Sequence, residues 1–372
     1  MKYVGIDLHS DCITCCYLSE GKQKKMISYH LDKHGFDLFK QSIDKKTFIM
    51  VEASTNSFRF AERIQNSVKE IIIANTHQLK LISFVNKKTD RINAEKLAVI
   101  LKMQIKSNER LFIPVHLPES IIQELRSLFS TYRLLRKQVT SMKNRIHSIY
   151  KQELMPFTKA YIFGKKSRMR LQDLSIKPAV DFQLDLLFSD LKAKENSIRR
   201  IEEYVLYLGQ AYKRQIAILT SMTGISVFTA IAIVADIGEL TRFKNSKHLS
   251  SYLRSAPGID SSNETTRILS TSKQGRRLAV TLLSQSLNHF RNGNPKLLHW
   301  YQTKVDGGKK KGVVRMALCR KVITEIYQML KNGEYHYYRN EVLHKKKMQK
   351  YADFLKTYSP EERYIKLEFT AA

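Results

Sequence analysis

The sequence predicts a mixed α/β domain followed by a mostly α-helical remainder, and three observations carry that expectation. Short β-branched, apolar runs separated by turn residues crowd into the first 75 positions, as strands of a small sheet do. From Ile121 onward apolar residues recur four and three apart, the seam of a coiled coil. A length of 372 residues exceeds one ordinary core, so several domains are expected. The shifts in pattern divide the chain into an α/β domain (1–112), a coiled-coil linker or dimerisation region (113–213), a mostly helical C-terminal domain (214–334) and a basic tail (335–372).

In chain order, residues 2–8, 12–18, 25–30, 47–52 and 70–74 read as strands, and Lys33–Ser42, Ser57–Ser67 and Asp90–Ile105 carry helical periodicity. Three strands joined by short turns, then alternating helix and strand, describe the mixed sheet of a ribonuclease H-like domain. In such a sheet the first strand is central and ligands gather beyond the carboxyl ends of the strands.

That first strand, Lys2–His9, drives Asp7 into an apolar run. A buried carboxylate is costly unless a cation or hydrogen-bond donors offset it, so Asp7 calls for a partner. Glu52 closes a second apolar run, and Asp90 and Asn93 lie three residues apart near a helix start, where both side chains share one face. Asp7, Glu52, Asp90 and Asn93 together read as a magnesium cup of the kind that activates an attacking oxygen and steadies a leaving one in phosphodiester cleavage. Each also has a structural reading: Asp7 capping the turn at His9-Ser10, Glu52 capping the helix after Thr55, and Asp90 as an ordinary N-cap.

The formal charge of +30, with 64 Lys and Arg against 34 Asp and Glu, points to a polyanionic partner. No apolar run of about 18 residues is present, so nucleic acid is favoured over membrane, with a merely basic soluble protein as the bland alternative. Cys12, Cys15, Cys16 and Cys319 include one C-x-x-C spacing but no second pair to complete a zinc site, and the first three are expected as core thiols. The N-terminus carries no signal-peptide or transit-peptide pattern, which makes the cytosol the expected compartment.

The first linker seam runs through Ile121, Leu125, Leu128, Tyr132, Leu135, Val139, Met142, Ile146 and Ile149. A second runs through Leu184, Leu187, Leu191, Ile198, Ile201, Val205 and Leu208. The two could pair as a hairpin or between subunits, because heptads alone do not fix partner number. Between them Lys165, Lys166, Arg168 and Arg170 form a basic loop suited to nucleic acid, while Arg126, Arg133, Arg136, Lys137, Lys143 and Arg145 could follow a phosphate backbone or simply face solvent. Leu219–Ile237 reads as two helices around the turn Thr223-Gly-Ile-Ser226, which could present N–H groups to phosphate or could be packing. Pro257–Glu264 reads as a polar turn, Lys309, Lys310 and Lys311 as a basic joint between helices, Trp300 and Tyr301 as core, and the tail as partly disordered without nucleic acid.

Gly5-Ile-Asp-Leu-His9, Val51-Glu-Ala-Ser54, Lys88-Thr-Asp-Arg-Ile-Asn93, Leu219–Ser226, Gly238–Phe243, Leu249–Leu253 and Ser272-Lys-Gln-Gly275 resemble, in order and over nearly the whole chain, the transposases of the insertion-sequence 110 family, which includes pilin-gene invertases. The resemblance implies a DNA recombinase with a RuvC-like acid domain binding Mg2+, a helical linker and a C-terminal domain with a nucleophilic serine. Its implied partners are donor and target DNA, a structured non-coding guide RNA and further copies of the chain, a dimer and a tetramer in the synaptic complex, in a bacterial, nucleoid-associated setting. The nucleophile aligns with Ser262, with Ser261 adjacent, and Arg267, Lys273, Arg276 and Arg277 would hold the scissile phosphate. The sequence departs from the family pattern at Asn93, where a fourth acid is usual, at Asn263, where the Ser-Gly pair reads Ser262-Asn263, and at Val280, where an arginine is usual. The alternatives are a junction-type metal nuclease using the acids alone, and a catalytically weakened nucleic-acid-binding derivative.

Overall fold

The computed structural model of the chain describes residues 1–21, 23–75, 89–107, 114–164, 175–262, 265–271 and 274–360. It divides into two compact units, Met1–Leu117 and Pro118–Ala372.

The first unit is built on β1 (Lys2–Leu8), β2 (Cys12–Ser19), β3 (Lys24–His30), α1 (Lys33–Gln41), β4 (Thr47–Glu52), α2 (Ser57–Ile64), β5 (Glu70–Ala74) and α3 (Asp90–Ser107). The sheet order is β3-β2-β1-β4-β5, with β1 central. The β1–β2 and β2–β3 pairs are antiparallel, whereas β1–β4 and β4–β5 are parallel, a mixed sheet compatible with the expected ribonuclease H-like arrangement. Alternation along β1 assigns its two faces. Val4, Ile6 and Leu8 pack with Ile49 and Val51 and with Phe39 of α1 and Phe60 of α2. On the other face Tyr3 packs with Phe48 and Met50 against Leu97 and Leu101 of α3.

Gly5 fixes how close α3 comes. A Cβ at that position would lie 2.0 Å from the carbonyl oxygen of Ala94 and 2.2 Å from the backbone nitrogen of Ala98, so the helix rests directly on the strand backbone. Ala94 and Ala98 fill the remaining space with Cys16. Cys15 and Cys16 are core thiols, and burial pushes the Cys15 thiol up to about 12. Cys12, at the strand's first residue, is only half-buried, which corrects its assignment to the core.

The second unit begins with α4 (Ser120–Gln152), α5 (Lys159–Phe163) and α6 (Pro178–Leu208). The long helices α4 and α6 pair within the chain and run antiparallel, with Glu153 bonded to Lys177 at 2.8 Å and Lys143 to Glu195 at 2.7 Å. Their shared core includes Tyr132, Val139 and Ile146 against Leu184, Leu191 and Ile198. Leu135, Met142 and Leu187 are only partly buried, because two helices alone cover a narrow seam.

The rest comprises α7 (Lys213–Thr220), α8 (Val227–Ile237), α9 (Ser246–Tyr252), β6 (Pro257–Ser262), β7 (Thr265–Thr271), α10 (Leu278–Gln285), α11 (Leu287–Asn292), α12 (Pro295–Asp306), α13 (Lys311–Asn332) and α14 (Glu341–Thr357). Every residue of α8 from Thr229 to Ile237 is buried, and with Leu318, Val322 and Ile323 of α13 it forms the centre of this unit. Tyr301 is buried, and Trp300 packs half-buried against the same core.

One expectation is overturned here. The stretch read as a polar turn is the first strand of an antiparallel ribbon, Ser262 pairing with Thr265; pairing imposes extended backbone on Gly, Asp and Ser residues that rarely choose it alone. Within the basic tail, residues Glu341–Thr357 form α14. Its Tyr351 is buried and donates to the Leu206 carbonyl at 2.8 Å, and Lys347 Nζ donates to the carbonyls of Thr220 and Ile225 at 3.0 and 2.8 Å. Its charge count concealed the few apolar positions that anchor it. Among the described residues no helix is long and apolar enough to cross a membrane.

Candidate metal centre

The carboxyl end of β1 delivers Asp7 to the face that α3 covers, the side chain being mostly buried. Because Gly5 lets α3 sit close, the helix's first turn arrives at the same place. Thr89 starts that helix: its Oγ1 accepts from the Ile92 N–H at 3.3 Å and its carbonyl from the Asn93 N–H at 2.9 Å. The cap is therefore Thr89, which leaves the carboxylate of Asp90 available, in the first turn where a helix favours negative charge.

Asn93 Nδ2 donates to Asp7 Oδ2 at 2.9 Å, joining residues 86 positions apart. His9 Nε2 stands 3.2 Å from Asp90 Oδ1 and 3.6 Å from Asp7 Oδ1. Ligand atoms of Asp7, His9 and Asp90 all lie within 4.8 Å of one another, a spacing that a single divalent ion could bridge with modest closure. The donor set of two carboxylates, an imidazole and an amide is chemically competent for such an ion.

Glu52 ends β4, one step beyond the Ile6–Val51 register pair, so it stands abreast of Asp7. Met50, two residues earlier, faces α3, and alternation sends Glu52 to that same face. It does not belong to the close group of Asp7, His9 and Asp90. The start of α2 is closed by Ser54 and Ser57, whose N–H to Oγ bond is 3.0 Å, and not by Glu52. Sequence reasoning thus reached Asp7, Asp90 and Asn93, which meet, and Glu52, which flanks them. It missed His9, because one histidine past a strand end has no periodic or spacing signal.

In the second unit Ser262 is the last residue of β6 and Ser261 pairs with Thr266; Arg267 of β7 lies across from Asp260. The side chains of these positions, like Lys273 and the loop residues Lys165, Lys166, Arg168 and Arg170, lie outside the described residues. Arg276, expected on a phosphate, has a partner inside the fold: its Nε donates to Asp236 Oδ1 at 2.6 Å. Arg277 is exposed, as are Lys309, Lys310 and Lys311 between α12 and α13. Arg126, expected to follow a phosphate backbone or to face solvent, is instead turned inward, donating to the carbonyls of Ala235 and Asp236 at 2.8 and 3.2 Å. The turn at Gly224, φ +101°, packs against His289 and Phe290 and is braced by Lys347, which favours its packing role.

Known proteins share both halves of this chain. Residues 4–155 match a DEDD-type transposase family model, and residues 216–301 match the family described as Transposase IS116/IS110/IS902. An insertion element IS110 uncharacterized 43.6 kDa protein from Streptomyces coelicolor is 27% identical over 157 residues, 42% of this chain and 38% of that relative. The transposase for insertion sequence element IS1111A from Coxiella burnetii is 23% identical over 221 residues, 57% of this chain and 60% of that relative. The aligned region is thus less than two thirds of the length of either relative. Two family models matching in order over residues 4–155 and 216–301, with these relatives, carry one conclusion: the chain belongs to the IS110 family of transposases.

Proposed function

We propose that copies of this chain cut and rejoin DNA strands during transposition of an insertion sequence, the acids in the first unit of one copy acting together with Ser262 in the second unit of another. The observation that carries this reading is the meeting of Asp7, Asp90 and Asn93, with Glu52 abreast, at the carboxyl end of a central strand in a chain of transposase family. A divalent ion bound there, Mg2+ on the oxygen donors Asp7, Glu52, Asp90 and Asn93, would polarise the phosphodiester and ease charge on the departing oxygen.

The chain's own contribution is nucleophile and placement. Ser262 Oγ forms a bond to phosphorus as the strand's P–O bond breaks; the serine proton goes to a base or to solvent, and the departing oxygen leaves as a hydroxyl. Reversal of that step by a hydroxyl of another strand rejoins the DNA. Arg267, Lys273 and Arg277 supply positive charge along the phosphate, and the net charge of +30 suits donor and target DNA and a structured guide RNA. The RuvC-like character of the acid unit, the RNA partner and assembly as a dimer or tetramer belong to the same proposal.

The test is a denaturing gel of the full chain incubated with labelled element-end DNA, guide RNA and divalent metal. Wild type forms a covalent protein–DNA adduct, and Ser262→Ala loses it while keeping metal affinity. An adduct that survives in Ser262→Ala but disappears in Ser261→Ala moves the nucleophile by one residue; cleavage without any adduct supports the metal-nuclease alternative. The hydrogen bond from the Asn93 amide to Asp7 favours a second reading, a weakened nucleic-acid-binding derivative. Under it, neither the wild type nor Asn93→Asp recombines DNA, while both bind RNA.

A further inference from the structure

The imidazole of His9 occupies the space between the two carboxylates that a metal would share, and nothing in the packing of the domain requires it there. Its side chain is 44% exposed, so burial does not hold it. Its backbone is fixed from both sides: the His9 N–H donates to the Cys12 carbonyl at 3.0 Å, and Asn56 Nδ2 donates to the His9 carbonyl at 2.8 Å. A turn clamped in this way presents the ring toward the site, Nε2 lying 3.2 Å from Asp90 Oδ1 and 3.6 Å from Asp7 Oδ1. On the other side of Asp7, Asn93 contributes an amide where a further carboxylate would have added charge.

These facts bear on which ion is held. Mg2+ is a hard cation that takes oxygen ligands and demands a regular octahedron, and losing one carboxylate weakens its binding. Imidazole nitrogen favours the transition series, in which Mn2+ still accepts carboxylate and carbonyl oxygen readily. We infer that His9 is a ligand of the metal centre and that the site selects Mn2+ over Mg2+. The inference rests on the metal-centre reading above and refines it, adding a nitrogen donor to the oxygen set. It also makes Asn56 a positioning residue, acting on the ion only through the turn that carries His9.

The competing possibility is that His9 pairs with the acids only while the metal is away and must leave when it arrives. The two differ in sign. If His9 is a ligand its removal weakens Mn2+ binding, whereas if it competes with the ion its removal tightens binding of both metals.

Binding is measured on the full-length, metal-stripped chain without DNA, by loss of the free Mn2+ paramagnetic resonance signal, with Mg2+ as competitor. Wild type is expected to bind Mn2+ at least about tenfold more tightly than Mg2+; His9→Ala should weaken Mn2+ by about tenfold or more and Mg2+ by less than about threefold. Pulsed resonance on the frozen Mn2+ complex should show coupling to a directly bound imidazole nitrogen in wild type and none in His9→Gln. Equal loss for both ions, tighter binding in His9→Ala, or no nitrogen coupling in wild type overturns the assignment. If Asp7→Ala still abolishes binding in that case, the metal centre stands without His9. If wild type binds neither ion, the metal-centre reading falls as well. Should His9→Ala fail to fold, the nitrogen coupling in wild type decides alone.

Discussion

Two buried aspartates, one in each unit, have opposite surroundings. Asp236, 1% exposed in α8, is closed off by the fold: Arg276 Nε reaches Oδ1 at 2.6 Å and the Ala279 N–H reaches Oδ2 at 2.8 Å. Nearby Arg126 bonds the carbonyls of the same turn, and burial lowers its guanidinium to about 10. Asp7, 9% exposed in β1, faces no lysine or arginine within ion-pairing distance among the described residues; its partners are the Asn93 amide and the His9 ring. One carboxylate has its counter-charge built in as a fixed guanidinium, and the other has a histidine and an amide as its partners. Under the proposed function, the difference separates an acid that holds structure from one that would hold the metal.

Four substitutions break or sharpen that contrast. Asp7→Ala should lower strand cleavage by at least about 10³-fold, the several kcal/mol a metal-held phosphate is worth, while altering metal-free stability by no more than about 1 kcal/mol. Cleavage assays beside urea unfolding check both halves, and a large loss of stability would place Asp7 with Asp236. Asp236→Ala should do the reverse, lowering the unfolding free energy by about 3 kcal/mol or more because Arg276 loses a buried partner, with Mn2+ affinity retained. Gly5→Ala comes next, at about 2 kcal/mol. The added Cβ would meet the Ala94 carbonyl and lift α3 off β1, so its melting temperature and its metal affinity should fall together. The smallest effect is Asn93→Asp, which restores a negative charge beside Asp7 and should tighten divalent-metal binding by about tenfold, read by titration calorimetry. Unchanged affinity there would mean that position 93 does not touch the ion.

Much of the first unit was legible because its signals are local. β-Branched runs with turn borders gave strands that agree with β1 to β5 to within a residue or two, and the order of strands and helices marked the first as the central one. Asp90 and Asn93 were legible through helix spacing, which fixes a shared face before any tertiary contact is known. The side of the sheet on which α3 lies was not legible, since it depends on Gly5 meeting Ala94 and Ala98 across the sequence. His9 was hidden for the same reason. In the second unit the heptads of α4 and α6 were visible, but their pairing within one chain was not, because the same seam suits a partner in cis or in trans. The β6–β7 ribbon was invisible, since its Pro, Gly, Asp and Ser residues advertise a turn and only cross-strand hydrogen bonds make them extended.

The paired helices α4 and α6, of 33 and 31 residues, act as a ruler about 45–50 Å long. One end is embedded in the helical core through Leu125 and Val205, so whatever the far end carries is held at a set distance and angle from that core. Deleting seven residues from each helix would bring the tip inward by about 10 Å and turn it by only about 20°, whereas deleting five would swing it by about 140°. Reach and orientation can therefore be varied separately in this unit, and any ligand gripped at the tip would report which of the two it depends on.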